Sequence, residues 1–214
     1  MADDTKPFAD PGPLGLGAFA LTTFLLSAHN AFGAGSVPLL AFFGFGLFYG
    51  GLAQFAAGML EFRNKNVFGA TAFSTYGAFW MGLSAFVALI LLGKVAAADV
   101  APGLAWILLA FAIFNTYMLL WASRVNAAVF AVFLTLEITE ILLFIGNFSN
   151  EAAGSGLVAL GGYMGLITAA AAWYASAAGV VNGMSSHPVL PVGQPLWGET
   201  TAPAPGSRVP EAHS

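Results

Sequence analysis

Charge is nearly absent from most of this chain, and that scarcity restricts its folding options more than any other feature. Six apolar stretches, at about residues 13–32, 37–60, 68–92, 103–122, 127–148 and 156–181, are each near or above the length that crosses a bilayer as a helix, roughly 20 residues. Only 7% of the residues are charged and 58% are hydrophobic, whereas a soluble domain carries about 25% charged residues. Backbone polar groups in a bilayer must be satisfied within the protein, so stretches of this kind fold as helices. The expected fold class is an all-α integral membrane protein with six transmembrane helices per protomer.

The breaks between stretches carry turn chemistry: Gly33-Ala34-Gly35-Ser36, Arg63-Asn64-Lys65-Asn66, Ala101-Pro102-Gly103, Ser123-Arg124, and residues 149–155. Three regions are expected: an N-terminal tail over 1–12, a six-helix domain over 13–184, and a Pro/Gly/Ser-rich, disordered tail over 185–214. Met1 to Asp10 is acidic and polar, which does not resemble a cleaved signal peptide. Lys6, Arg63, Lys65, Arg124 and Arg208 fall on one side of the six spans and Lys94 on the other. The positive-inside bias therefore places both termini in the cytoplasm. No lysine lies within a span, which excludes a retinal-type pigment, because that needs a Schiff-base lysine. Cysteine is absent and no histidine has metal-ligand spacing, so neither a metal nor a cofactor is expected. Nothing in the chain marks an enzyme or a nucleic-acid binder.

Small residues recur at helical spacing. Gly46, Gly50, Gln54 and Gly58 form one stripe, and Gly161 with Gly165 begins another. Such stripes let helices approach closely and also mark subunit interfaces. Just ahead of the first span lies Asp10-Pro11-Gly12-Pro13-Leu14-Gly15-Leu16-Gly17-Ala18-Phe19. Proline suits a first helical turn, and Asp10 or Gly12 is placed to cap it. Gly15 and Gly17 each cost about 1 kcal/mol relative to Ala. They fit either close helix packing or the approach of an anion to the N–H groups at a helix start.

Polar residues within the spans are few and informative. Gln54 sits mid-span, as interhelical glue or as a solute ligand. Thr22 and Thr23 are expected to bond back to their own helix carbonyls, and His29 and Asn30 lie near the outer end of the first span. Glu137 and Glu140 stand mid-span, three residues apart on neighbouring faces of the fifth helix. A carboxylate at the bilayer centre costs about 2.5–3.5 kcal/mol, so both face protein or a wet cavity. Two carboxylates this close in low dielectric do not both ionise. They are candidates for proton handling, with a protonated interhelical pair as the alternative. Tyr76 is too deep in the third span for an interfacial belt residue.

Asp10-Pro11-Gly12-Pro13-Leu14-Gly15-Leu16 resembles the Asn-Pro-Ala-Pro-Leu-Gly-Leu signature of the acetate uptake transporter, or succinate–acetate permease, family. Phe48-Tyr49-Gly50-Gly51-Leu52-Ala53-Gln54 and Gly58-Met59-Leu60-Glu61-Phe62 are similar to its second-helix motifs. Residues 66–80 are similar to its third-helix block, and Leu190-Pro191-Val192-Gly193 to its C-terminal motif.

The resemblance implies a hexamer with a path through each protomer for acetate and related short carboxylates, as a proton-coupled transporter or an anion channel. It implies an apolar constriction at Phe19, Tyr76 and Leu136, and places Gln54 at the family's mid-membrane glutamine. With Gly15, Leu16 and Thr23, Gln54 completes the expected substrate-binding set. Asp10 departs from the signature's Asn, and Glu137 and Glu140 depart from apolar or hydroxylated positions. The expected location is the plasma membrane. A channel for a neutral solute such as ammonia or urea is the alternative.

Overall fold

The computed structural model describes residues 9–197. Helices long and apolar enough to cross a membrane number six: α1 Gly12–Phe32, α2 Leu40–Arg63, α3 Val67–Leu91, α4 Ala97–Ala122, α5 Ala127–Phe148 and α6 Gly156–Gly183. Lys6, Arg208 and the tail segments 1–8 and 198–214 lie outside the described residues.

The helices fall into two sets of three. In the first, α1, α2 and α3 pack on one another; in the second, α5 lies between α4 and α6. The α1–α6 contact is the broadest in the molecule and joins the sets, while α3 and α4 meet along a thin seam. Small residues account for the α1–α6 contact: a Cβ added to Gly162 would fall 2.7 Å from the Ala31 Cα. The glycine stripes also serve helix packing within the protomer, where Gly50 lies against Thr22, Gly58 against the Ser74 backbone and Gly165 against Ser27.

Local chemistry sets the helix starts. The Asn66 and Asn126 side chains accept from the Gly69 and Val129 N–H groups at 3.1 and 2.8 Å, capping α3 and α5. At α1 the cap position is Pro11, and Asp10 Oδ1 accepts from the Gly12 N–H at 2.8 Å. Neither expected capping residue holds the cap position, but the Asp10 carboxylate occupies the helix's first donor.

Two expectations are corrected, and the second span carries one feature beyond them. Ala101-Pro102-Gly103 does not break the chain, because α4 begins at Ala97 and carries Pro102 inside it. The proline is the sixth helical residue, past the four N–H groups that lack helical partners, so it removes one ladder bond near the helix start without ending the helix. The centre of α2, Gly46–Ala53, is wound as a π-helix, a local widening favoured by the flexible backbone of its three glycines. The segment after α6 is not loose. Asn182 Nδ2 donates to the Leu190 carbonyl at 2.9 Å, the Tyr174 hydroxyl donates to the Pro191 carbonyl at 2.6 Å, and the Ala128 N–H donates to the Val192 carbonyl at 2.9 Å. These bonds strap residues 190–192 across the ends of α5 and α6.

Candidate functional site

Three cavities succeed one another along the bundle. One of about 360 Å³ lies at the end holding the start of α1, lined among others by Asp10, Leu16, Glu61, Asn66, Phe133 and Asn182. One of about 400 Å³ lies at the opposite end, where His29, Asn30, Asn147, Asn150 and Glu151 supply its polar groups. Between them is a chamber of about 40 Å³. It shares Leu26, Asn30, Phe79, Leu108 and Leu143 with the larger cavity at the far end. It shares no lining residue with the cavity at the α1 start, so protein separates those two cavities.

Phe19, Tyr76 and Leu136, the residues expected to form a constriction, come together on this chamber. All three are buried, line the chamber and belong to one apolar cluster. The Phe19 and Tyr76 rings meet edge-on with centroids 5.6 Å apart, and Phe19 lies 6.1 Å from Trp80. Phe133 stands 6.5 Å from Tyr76 and also lines the cavity at the α1 start. Helical period explains the convergence on α5: Phe133, Leu136 and Glu140 recur at i, i+3 and i+7 and share one face.

The chamber wall is polar in selected places. Thr23 Oγ, Trp80 Nε1 and Glu140 Oε2 are buried without a hydrogen-bond partner, and all three residues line the chamber. Thr22 does bond back to the Ala18 and Phe19 carbonyls, at 2.9 and 3.1 Å, as expected of a threonine in a helix. Thr23 does not, which leaves its hydroxyl available.

A partly buried network links α3, α4 and α5 beside Tyr76 and Phe133. The Tyr76 hydroxyl lies 3.0 Å from Asn115 Oδ1 and 3.3 Å from Glu140 Oε1. Asn115 Nδ2 donates to the Phe133 carbonyl at 3.0 Å and to Glu137 Oε2 at 2.7 Å. The Thr116 hydroxyl lies 2.7 Å from Glu137 Oε1. The two glutamates therefore have different surroundings. Glu140 is buried against the chamber, and Glu137, about 60° around the helix, turns to the α4–α5 flank beside exposed Thr116. Asn115 joins them. Sequence reasoning passed over Asn115 and Thr116, although a polar pair in an apolar span was the signal already used for Glu137 and Glu140.

The other expected substrate contacts are dispersed. Leu16 lines the cavity at the α1 start. Gly15 is covered by the Phe73 ring, 2.7 Å from where a Cβ would stand, so close packing accounts for it. Gln54 is buried with Oε1 unpartnered and lines none of the cavities above. Among the described residues, no group of three or more His, Cys, Asp or Glu side chains gathers as metal ligands would.

Comparison with known proteins places this architecture. The succinate–acetate/proton symporter SatP of Escherichia coli is 37% identical over 191 residues, covering 87% of this chain and 96% of the relative. Acetate permease A of Emericella nidulans is 37% identical over 92% of this chain and 70% of its own length. The ammonia transport outward protein 2 of Saccharomyces cerevisiae is 36% identical over 84% of this chain, which spans 64% of that relative. The same 64% share holds for the yeast accumulation of dyads protein 2, at 38% identity. The solved structure of the bacterial acetate channel SatP superposes with a TM-score of 0.80 at 37% identity, over 87% of this chain and all of the other. The model of the GPR1/FUN34/yaaH family matches residues 2–195. A multi-pass membrane protein of six apolar helices, this chain belongs to the GPR1/FUN34/yaaH family.

Proposed function

We propose that the protein carries acetate and related short carboxylates across the plasma membrane, along the three cavities of each protomer. The observation that carries this reading is the small chamber placed directly against the Phe19–Tyr76–Leu136 constriction. A water molecule needs about 10–15 Å³ of such volume, so about 40 Å³ suits a solute of a few heavy atoms, and acetate has four. The apolar ring withholds the hydrogen bonds that a hydrated inorganic ion would need in exchange for its water. A carboxylate bearing a methyl group leads with an end that the ring can contact.

Such a path is needed because a carboxylic acid with a pKa near 4.3 is protonated to only about one part in several hundred at neutral pH. The names of the relatives, an acetate permease and a succinate–acetate/proton symporter, support the same solute class. Both termini lie in the cytoplasm in this reading, as the distribution of basic residues suggests. The protomers assemble as a homo-hexamer, burying part of the apolar outer surface that includes Phe45, Phe48 and Leu52.

A second reading, conduction of ammonia, is favoured by one relative's name. Competition separates the two. Labelled acetate uptake into proteoliposomes is expected to fall with excess propionate and to be indifferent to excess urea or methylammonium. Inhibition by methylammonium with none by propionate would overturn the carboxylate reading.

A further inference from the structure

The glutamate that lines the chamber has a distinct place in the hydrogen-bond count. Asn115 is oriented without ambiguity, because both neighbours of its Nδ2, the Phe133 carbonyl and Glu137 Oε2, accept hydrogen bonds. Its Oδ1 must therefore face the Tyr76 hydroxyl, 3.0 Å away. Tyr76 has one hydrogen and two waiting acceptors, Asn115 Oδ1 and Glu140 Oε1. If Glu140 were ionised, one of those acceptors would stay bare, as would Glu140 Oε2, which has no partner at all. A proton on Glu140 resolves the first deficit: Oε1–H donates to the tyrosine oxygen while Tyr76 donates to Asn115.

The second deficit lies in the chamber. Glu140 Oε2, Thr23 Oγ and Trp80 Nε1 are unpartnered, and each residue is more than nine-tenths buried. The threonine and tryptophan atoms belong to donor groups. A carboxylate arriving there would accept from both. It would meet a bare anionic oxygen if Glu140 were ionised, and a third donor if Glu140 held a proton on Oε2.

We propose that Glu140 is a specificity-determining residue that admits a short carboxylate to the chamber only while it is protonated, donating through Oε2 beside Thr23 and Trp80. This deepens the carboxylate-transport reading above and rests on it. As the solute enters, the Glu140 carboxyl turns about its Cγ–Cδ bond so that its protonated oxygen faces the chamber and donates to the solute, while the Tyr76 hydrogen turns from Asn115 Oδ1 to the other Glu140 oxygen. The new bonds to the solute offset the acceptor left bare on Asn115. No bond to carbon changes and no proton is lost. The titratable groups facing Glu140 are Tyr76 from α3 and Glu137 from its own helix. Among the described residues the other packed helices bring no titratable group to the chamber: α1 offers Thr23, Ser27 and Asn30, α4 Asn115, and α6 Thr168, paired with Thr139. Glu137 is not the gating group, since it lines no part of the chamber and Asn115 Nδ2 donates to it.

The test has two readouts on the full-length protein in liposomes. In the infrared, the wild type at neutral pH should show the C=O stretch of a protonated carboxyl that disappears in E140Q, persists in E137Q and shifts when acetate is added. A band that persists in E140Q overturns the proposal. In flux, protein-dependent labelled acetate exchange by the wild type should fall as pH rises from about 5 to about 8. E140Q keeps a donor in the same place and should flatten that profile to within about twofold. E140L lacks the donor and should lose exchange by about tenfold or more, and E137Q should follow the wild type. A wild-type profile retained in E140Q overturns the proposal while leaving carboxylate transport standing. A wild type that exchanges no acetate above protein-free liposomes overturns the transport reading itself.

Discussion

Asn115→Leu is the most informative single substitution for the stability of the site. The leucine is close in size, so packing is largely kept, while three hydrogen bonds are removed: from Tyr76, to the Phe133 carbonyl and to Glu137. Interhelical hydrogen bonds in bilayers average about 0.6 kcal/mol and reach about 1.7, so three are worth about 2 kcal/mol. The Phe133 carbonyl keeps its helical partner, but Glu137 Oε2 loses a donor at 2.7 Å and Tyr76 loses its acceptor. A stranded polar group costs about 1–3 kcal/mol, although Tyr76 recovers part of this by turning to Glu140. The net loss should be about 2–3 kcal/mol. It is measurable as reversible unfolding in mixed micelles, where a double-mutant cycle with Glu137→Leu should return a coupling of about 1 kcal/mol. Asn115→Leu within about 0.5 kcal/mol of the wild type would refute the network as a stabilising element.

Two further substitutions probe the path. Phe19→Ala removes the ring that abuts Tyr76 and Trp80, and should raise butyrate flux relative to acetate severalfold, while the loss of a buried phenyl costs about 3–5 kcal/mol; an unchanged acid preference would remove Phe19 from the constriction. Asp10→Asn keeps a side-chain oxygen for the Gly12 N–H and deletes a negative charge from the cavity at the α1 start, so acetate flux should rise about two- to threefold at low ionic strength. The gain should shrink toward physiological salt, where the Debye length is about 8 Å.

The spans were legible because hydropathy alone decides them: five of the six expected stretches lie within a few residues of their helices. The exception, the start of α4, was hidden by Pro102, which reads as a break unless its closeness to a helix start is known. The π-helical centre of α2 has no periodic signature, since it changes the winding and not the composition. The 190–192 strap was read as loose because its binding is by backbone carbonyls, to Tyr174, Asn182 and Ala128, and any sequence supplies those.

At the site, family resemblance reached Phe19, Tyr76 and Leu136, and residue spacing reached Glu137 and Glu140. Spacing placed the two glutamates on neighbouring faces but could not say which face was inward. That depends on Asn115 arriving from another helix. Gly15 is the converse case, where the partner that explains it, Phe73, lies in a different span.

The absence of cysteine permits a direct test of the path. Leu136→Cys places a thiol at the constriction, and Ile138→Cys places one on the exposed face of the same helix. A solute path between Phe19, Tyr76 and Leu136 requires that a small methanethiosulfonate reagent abolish acetate flux in Leu136→Cys, with protection by excess acetate, and leave Ile138→Cys unaffected. Undiminished flux after complete modification of Leu136→Cys would contradict that path.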